Sequence, residues 1–363
     1  MVSLPLRVLH VLNELHPSGM EVMLETAVPR WRSHSIETHI LGQGSKHPYR
    51  RNLTAAGASV TTTTRPGTLS SFRHLAATVT QIAPDVVHLH SEKSYALTVL
   101  AVRTADRNVP IIRTVHNIFG TDGKWGQQRR MQAAVADRFV DAITVPSSDV
   151  AVNEKRLGRH PMIIKNWVHD NYHVLRRHRQ DFLSSTLEVK NRRAVIVGNC
   201  SHIKRHELAL SALLELNFTL VHLGDESGAS ELEKELLKRF DKENRLEFRG
   251  IGDPSAWLRE ATVFLMPSKR EGMSVALAEA LAAGVPALVA DSPGFQWVRG
   301  SSDVELLPAD ELSWREALQR LGNLPRLAGF DASELTLGHG ATKYEGLYHD
   351  VRDKRNRRVN EGL

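Results

Sequence analysis

The sequence predicts an α/β protein of two doubly wound domains facing across a cleft. Three observations carry that prediction. Apolar strand-like runs alternate with helical patterns almost from end to end, the signature of parallel sheets covered by helices. The alternation lapses between His169 and Arg193, where polar and basic residues take over, and then restarts. A chain of 363 residues also suits two cores of ordinary size better than one.

Residues 7–13 read as the first strand. A helix follows with Met20, Met23, Leu24, Ala27 and Val28 on one face, and Pro29 is expected to stop it. Strands are expected at 38–41, 85–90, 111–115 and 142–146, with helical stretches between most of them. Beyond the polar interval come 194–197, 219–223, 246–248, 262–266 and 286–290. Residues 341–351 read as a last helix with too few apolar side chains for a domain of its own. The expected division is 1–170, 171–340 and a C-terminal segment, 341–363, packing back on the first domain.

Hydrophobic residues make up 41% and charged residues 24%, which indicates neither disorder nor a membrane-spanning protein. No run approaches the ~18 consecutive apolar residues of a bilayer crossing. Met1 to Arg7 lead straight into the first strand, without the basic start and small-residue cleavage site of a secretory signal. A soluble, cytoplasmic protein is expected. The single cysteine, Cys200, excludes an intramolecular disulfide and a zinc site built from cysteines. The net charge of +6 favours an anionic ligand or surface, but no nucleic-acid-binding pattern accompanies it. Arg176-Arg177-His178-Arg179 and the run 352–358 read as solvated faces.

Ligands of open parallel sheets bind beyond the carboxyl ends of strands, so each strand-to-helix junction is a candidate. The most informative runs over residues 262–286. A strand ends at Pro267, a short loop carries Glu271 and Gly272, and an Ala- and Leu-rich helix closes at Gly284 and Pro286. The helix start offers unpaired N–H groups and a positive dipole end, a seat for phosphate that Gly272 lets a ligand approach. Glu271 and Glu279 flank it, and a carboxylate there accepts hydrogen bonds from paired sugar hydroxyls. Phosphate in the middle and hydroxyls at both ends describe a nucleotide-sugar. Helix physics alone leaves a second reading open, with Ser268 and Glu271 as a capping box and Glu279 as a solvated helix residue.

Pro267 to Pro286, Pro-Ser-Lys-Arg-Glu-Gly-Met-Ser-Val-Ala-Leu-Ala-Glu-Ala-Leu-Ala-Ala-Gly-Val-Pro, resembles the Glu-x7-Glu signature of the retaining glycosyltransferases of family 4. Other segments agree in order. Ser18-Gly19-Met20-Glu21 is similar to the family's Gly-Gly-x-Glu loop, with Ser18 replacing a glycine. Asp85-Val86-Val87-His88-Leu89-His90 and Thr114-Val115-His116 resemble its next two strand ends. Asn166 stands where the family has Asn-Gly-Val-Asp, and Val197 to Lys204 falls where it has Gly-Arg-Leu and a following lysine.

The resemblance implies the GT-B fold, two Rossmann-like domains, and transfer of a hexosyl group from a nucleotide-sugar, UDP-linked by family frequency. Lys204 would pair with the diphosphate; Asn199 replaces the family's arginine there, with Arg205 close by as a substitute cation. Glu279 would hold the ribose hydroxyls and Glu271 the hexose. Backbone N–H groups of Gly272, Met273 and Ser274 would meet sugar or phosphate, and the base would lie near Gly250 and Ile251. Gly19 would let the first loop approach the diphosphate, and His116 would hydrogen-bond the donor sugar or position the acceptor. The family's front-face substitution with retention needs no protein nucleophile and no cofactor, and a metal is not required. His88 and His90 share one strand face, but a metal would need a third ligand, and packing is the simpler reading for His88.

A Gly-x-Gly-x-x-Gly fingerprint is missing after the first strand, as are Walker A, Gly-x-Ser-x-Gly and His-Glu-x-x-His patterns, which argues against dehydrogenases, P-loop NTPases, αβ-hydrolases and zincins. Two alternatives remain. One is a catalytically impaired nucleotide-sugar-binding partner subunit, motivated by Asn199. The other is an enzyme peripheral to the inner membrane face with a lipid-linked acceptor, motivated by the basic stretch 124–131 with Lys124, Trp125, Arg129 and Arg130. The acceptor itself, whether saccharide, lipid-linked sugar or small molecule, depends on loops 42–51 and 116–130, which match no assignable pattern.

Overall fold

The computed structural model describes residues 4–63, 69–92, 94–120, 123–185, 192–322 and 325–360. Two compact units emerge, Met1–Asn166 with Leu337–Leu363, and Trp167–Thr336.

The first unit contains strands β1 (Leu6–Leu12), β2 (Ile36–Gln43), β3 (Ser59–Thr63), β4 (Val86–Leu89), β5 (Ile111–Thr114), β6 (Ala142–Val145) and β7 (Met162–Ile163). All pair in parallel, in the order β3-β2-β1-β4-β5-β6-β7. Helices α1 (Gly19–Ser33), α2 (Arg50–Ala55), α3 (Leu69–Ile82), α4 (Tyr95–Ala105), α5 (Gly123–Ala136) and α6 (Ser148–Lys155) make the crossovers. Leu9, Val11, Val87, Leu89 and Ile111 meet Leu75, Val79, Val99 and Val102 in one buried cluster. Central parallel strands are covered on both faces, which is why they read as unbroken apolar runs.

Helix α1 does not stop at Pro29 but continues to Ser33. A proline inside a helix costs roughly 3 kcal/mol. Pro29 lies on the exposed face, while Ala27, Val28 and Trp31 extend the buried stripe beyond it. Burial of Trp31, 1% exposed, holds the last turn in register.

The second unit contains α7 (Asn171–Ser185), β8 (Arg192–Val197), α8 (His206–Leu213), β9 (Phe218–Leu223), α9 (Glu231–Lys242), β10 (Leu246–Gly250), α10 (Ser255–Leu258), β11 (Val263–Met266), α11 (Val275–Ala282), β12 (Ala287–Ala290), β13 (Val304–Leu307) and α12 (Glu311–Arg320). Its parallel sheet runs β10-β9-β8-β11-β12-β13. The chain then returns to the first unit as α13 (Leu337–Asn360), where Glu345 accepts from Arg30 Nε at 3.1 Å on α1.

Several expectations need correction. Strands β3, β7 and β13 were not legible in the sequence because all three are sheet edges, where one missing neighbour relaxes the demand for apolar residues. The polar interval contains α7, whose Tyr172 and Arg179 are buried in the second unit; residues 186–191 lie outside the described residues. The divisions fall at Asn166/Trp167 and Thr336/Leu337 rather than 170/171 and 340/341, because Val168 bridges Thr336 and accompanies Tyr172 in the second core. Arg179, read as solvated, donates to the carbonyls of Gly284 (3.1 Å), Leu258 (3.0 Å), Arg259 (2.9 Å) and Arg326 (2.8 Å). With Arg176 on Leu281 O at 3.4 Å, it satisfies carbonyls at the C-terminal end of α11. In the run 352–358, Arg355 pairs with Asp106 at 2.9 Å, and the Arg358 side chain is outside the described residues.

Candidate functional site

Strand order in the second unit reverses between β8 and β11, so the loops leaving these strands border the crevice where open sheets bind ligands. After β11 the chain passes through Pro267 to the N-cap Ser274, whose Oγ accepts from the Leu277 N–H at 3.2 Å. The cap is therefore Ser274, and the capping-box reading of Ser268 and Glu271 is set aside. The Ser274 hydroxyl serves its own helix, and Gly272, Met273 and Ser274 are all buried around the helix start.

Two backbone bonds hold this loop: Lys269 N–H to Ile203 O at 2.8 Å and Glu271 N–H to Pro293 O at 3.0 Å. Gly294 completes the cradle. Its φ is +101°, and a Cβ there would stand 2.0 Å from Glu271 O. Sequence reasoning missed Gly294, although the Ser292-Pro293-Gly294 turn straight after β12 was a usable signal.

Lys204 Nζ lies 2.7 Å from Glu271 Oε1, joining the β8 and β11 loops. Both side chains are largely shielded, 24% and 11% exposed, so the pair faces a restricted space rather than bulk water. Next to it, Arg205 occupies a left-handed conformation (φ +52°) at the N-cap of α8 and donates through Nε to Pro267 O at 3.0 Å. Asn199 is exposed, and its Oδ1 accepts from the Asp225 N–H at 2.9 Å, so its side chain braces the exit of β9.

Glu279, on α11, is buried rather than solvated. Burial pushes its carboxyl up to about 8; a hydrogen bond with Tyr172 works against that shift, and the nearby charge of Asp253 adds to it. The same burial raises the Tyr172 hydroxyl. Asp253 follows β10, so the β10 exit lies near Glu279. Gly250, with φ +121°, turns the chain off β10, and Ile251 beyond it is 65% exposed. Tyr172 was not anticipated, because it sits in the interval that read as polar linker.

The first unit has its own cluster, at the carboxyl ends of β1, β4 and β5. His10 Nδ1 and His90 Nε2 are 3.0 Å apart, and His90 Nδ1 and His116 Nε2 are 2.8 Å apart. His88 lies beside them, hydrogen-bonded to Tyr348 Oη at 2.9 Å and Thr114 Oγ1 at 2.6 Å. Burial lowers all four imidazoles, His10 to about 3 and His116 to about 4, with neighbouring histidines lowering His88 and His90 further. The rings are neutral at physiological pH. Each neutral ring carries one N–H, so the tautomers of His10, His90 and His116 are coupled along the chain. Gly19 opens α1; its neighbour Ser18 donates to Glu21, whose buried carboxyl is pushed up to about 7.

Family models match over most of the chain: "Glycosyltransferase Family 4" over residues 17–172 and "Glycosyl transferases group 1" over 191–323. The chain is a family 4, group 1 glycosyltransferase. Its GT-B fold is shared with a glycosyltransferase from Rickettsia africae (TM-score 0.74, 12% identity, 96% of this chain and 98% of the other). Alr3699/HepE from Anabaena, solved in complex with UDP-glucose, aligns with TM-score 0.69 at 17% identity over 98% and 99% of the two chains. Protein CapJ of Staphylococcus aureus is 33% identical over 100 residues, and the match spans a quarter of each protein.

Within this glycosyltransferase the second unit gathers Lys204, Arg205, Glu271, Gly272, Met273 and Ser274 at the β8 and β11 exits, with Glu279 turned toward Tyr172 and the β10 exit. Gly19 and His116 belong to the other unit. In the basic stretch at the start of α5, one residue needs correction as a surface group. Arg129 is 2% exposed, bonded through Nε to Glu92 Oε1 at 2.6 Å and through Nη2 to Glu154 Oε1 at 2.9 Å. Arg113 pairs with Glu92 and Arg159 with Glu154, and both also meet Asp137, so three guanidiniums face three carboxylates inside the unit. Lys124, Trp125 and Arg130 are exposed, while Thr121 and Asp122 of the expected acceptor loop lie outside the described residues. Among the described residues no helix is long and apolar enough to cross a membrane.

Proposed function

We propose that this glycosyltransferase transfers a hexosyl group from a UDP-sugar to an acceptor hydroxyl with retention of configuration. The observation that carries the reading is the Lys204–Glu271 pair beside the N-terminus of α11. A donor bound there exchanges that ion pair for two better-matched contacts: Lys204 with the diphosphate, and Glu271 with hexose hydroxyls. The bond from the anomeric carbon to the diphosphate oxygen breaks as the acceptor oxygen bonds to the same face. The acceptor proton passes to a leaving diphosphate oxygen, and UDP departs. Negative charge grows on UDP, so Lys204, Arg205 and the α11 N–H groups lower the barrier electrostatically. The transfer needs neither cofactor nor metal at the diphosphate.

Glu279 accepts from the ribose hydroxyls, and the base lies over Gly250 and Ile251. His116, neutral because burial lowers its pKa to about 4, serves as a hydrogen-bonding group toward the donor sugar or the acceptor rather than as a charged one. The Anabaena relative solved with UDP-glucose supports the choice of a UDP-sugar.

The test is a panel of UDP-sugars assayed for transfer and hydrolysis, with UDP affinity measured in parallel. Glu279→Ala should weaken UDP binding, whereas Glu271→Ala should spare UDP and impair transfer; equal losses of UDP affinity overturn the division. Asn199 favours a second reading, an inactive nucleotide-sugar-binding subunit, since its side chain is committed to Asp225 and brings no charge. Binding across the panel with no turnover supports that reading.

A further inference from the structure

Behind the loop that carries Lys204 and Arg205, four side chains of unlike chemistry converge on one buried point. Cys200 follows β8, His206 opens α8, His222 lies on β9, and Glu233 occupies the third position of α9. Their exposures are 5%, 2%, 0% and 1%. One ligand-type atom from each lies within 4.8 Å of all the others.

We propose that Cys200 Sγ, His206 Nδ1, His222 Nε2 and a Glu233 carboxylate oxygen bind one zinc ion as a closed structural site. The separations fit the edges of a tetrahedron around such an ion. With ligand distances of about 2.3 Å for sulfur and about 2.0–2.1 Å for nitrogen and oxygen, sulfur–nitrogen edges come to about 3.5 Å and the remaining edges to about 3.3 Å. Cys200 Sγ stands 3.9 Å from His206 Nδ1 and 3.8 Å from His222 Nε2. His206 Nδ1 is 3.1 Å from His222 Nε2 and 3.0 Å from Glu233 Oε1, and His222 Nε2 is 3.4 Å from Glu233 Oε1.

A hydrogen-bonded cluster explains these contacts less well. Both imidazoles would have to donate to the same carboxylate oxygen while their donor nitrogens sit only 3.1 Å apart. The three atoms form a near-equilateral triangle, whereas donors on one carboxylate oxygen spread along its separate lone pairs. Ligands around a single cation form such triangles by necessity. Charge agrees as well: a thiolate, a carboxylate and two neutral imidazoles around a divalent ion sum to zero, so no net charge is buried. Cys, His and carboxylate together in a closed four-ligand set favour zinc over magnesium or calcium, which take oxygen ligands.

One imidazole has a carboxylate near its outer nitrogen, beyond hydrogen-bond distance. His222 Nδ1 is buried without a hydrogen bond and faces Glu226 Oε1 at 3.7 Å, a carboxylate held in turn by Arg249 at 2.7 Å. The single cysteine thus excludes a cysteine-only zinc site but not this mixed one. The ion would tie the β8–α8 loop to β9 and α9, stiffening the segment that presents Lys204. It takes no part in transfer, and the proposal stands independently of the donor.

The experiment is metal analysis of the full chain, purified without a histidine tag, followed by cobalt(II) titration of chelator-stripped protein. The expected results are about one zinc per chain, a lower melting temperature on stripping, and tetrahedral cobalt absorption with a thiolate-to-cobalt band. Cys200→Ser should remove that band, while His88→Gln, in the first-unit histidine cluster, should leave it intact. Substoichiometric zinc in the wild type together with no thiolate band overturns the proposal, whether or not the variants fold. A cobalt spectrum lost with His88→Gln but not with Cys200→Ser also overturns it, placing the ion elsewhere.

Discussion

Replacing Glu279 by glutamine tests whether this carboxyl is buried and protonated in the ligand-free protein. Its pKa is raised from 4.5 to about 8, chiefly by burial. The folded state therefore keeps a proton that the unfolded chain releases near 4.5, so stability from this group is full below that pH. It declines as pH rises and is lost by about pH 8. Each pH unit inside that window costs about 1.4 kcal/mol. Between pH 5.5 and 7.5 the wild type should lose roughly 2–3 kcal/mol relative to Glu279→Gln, a differential melting shift of about 5–10 °C for a unit of this size. Glutamine keeps the shape and a partner for Tyr172 but cannot titrate. The assay is thermal unfolding of both proteins at matched ionic strength, read as the difference between their melting temperatures against pH. Parallel profiles across that window would refute the reasoning. A complementary readout is calorimetry of UDP binding near pH 7 in two buffers. Ribose hydroxyls donating to Glu279 stabilise its ionised form, so binding should release a fraction of a proton.

Other predictions follow from the same geometry. Lys204→Ala removes a cation facing the leaving diphosphate and should lower kcat by about 10²–10³-fold in a steady-state transfer assay. Gly294→Ala forces a side chain against Glu271 O at a positive φ; it should destabilise the protein by roughly 1–3 kcal/mol in urea unfolding and depress transfer with it. Arg129→Met strips one partner from half-buried Glu92 and from buried Glu154 and should cost about 3 kcal/mol, whereas exposed Arg130→Ala should stay within about 0.5 kcal/mol. His116→Ala should reduce kcat without removing an ionisation near pH 6.5 from the rate profile, because His116 is already neutral there.

The sequence by itself determined the two-unit α/β plan and the junction after β11. Both are written in local pattern: central strands covered on two faces are apolar along their length, and a helix start after a strand has its own residue signature. Edge strands β3, β7 and β13 escaped because half of their surroundings is absent, and α7 escaped because its polar residues hide a buried Tyr172 and Arg179.

What only the tertiary structure decided is the state of each charged side chain. Lys204 meets Glu271 from 67 residues away, Arg129 finds Glu92 from 37, and Cys200 finds His222 from 22. Periodicity records whether a position is buried, and a lone charge or histidine in a sequence carries no periodicity at all. Its partner arrives from another strand exit once the sheet has formed. Glu279 shows the consequence: the motif announced the residue, but burial beside Tyr172 and Asp253 set its proton.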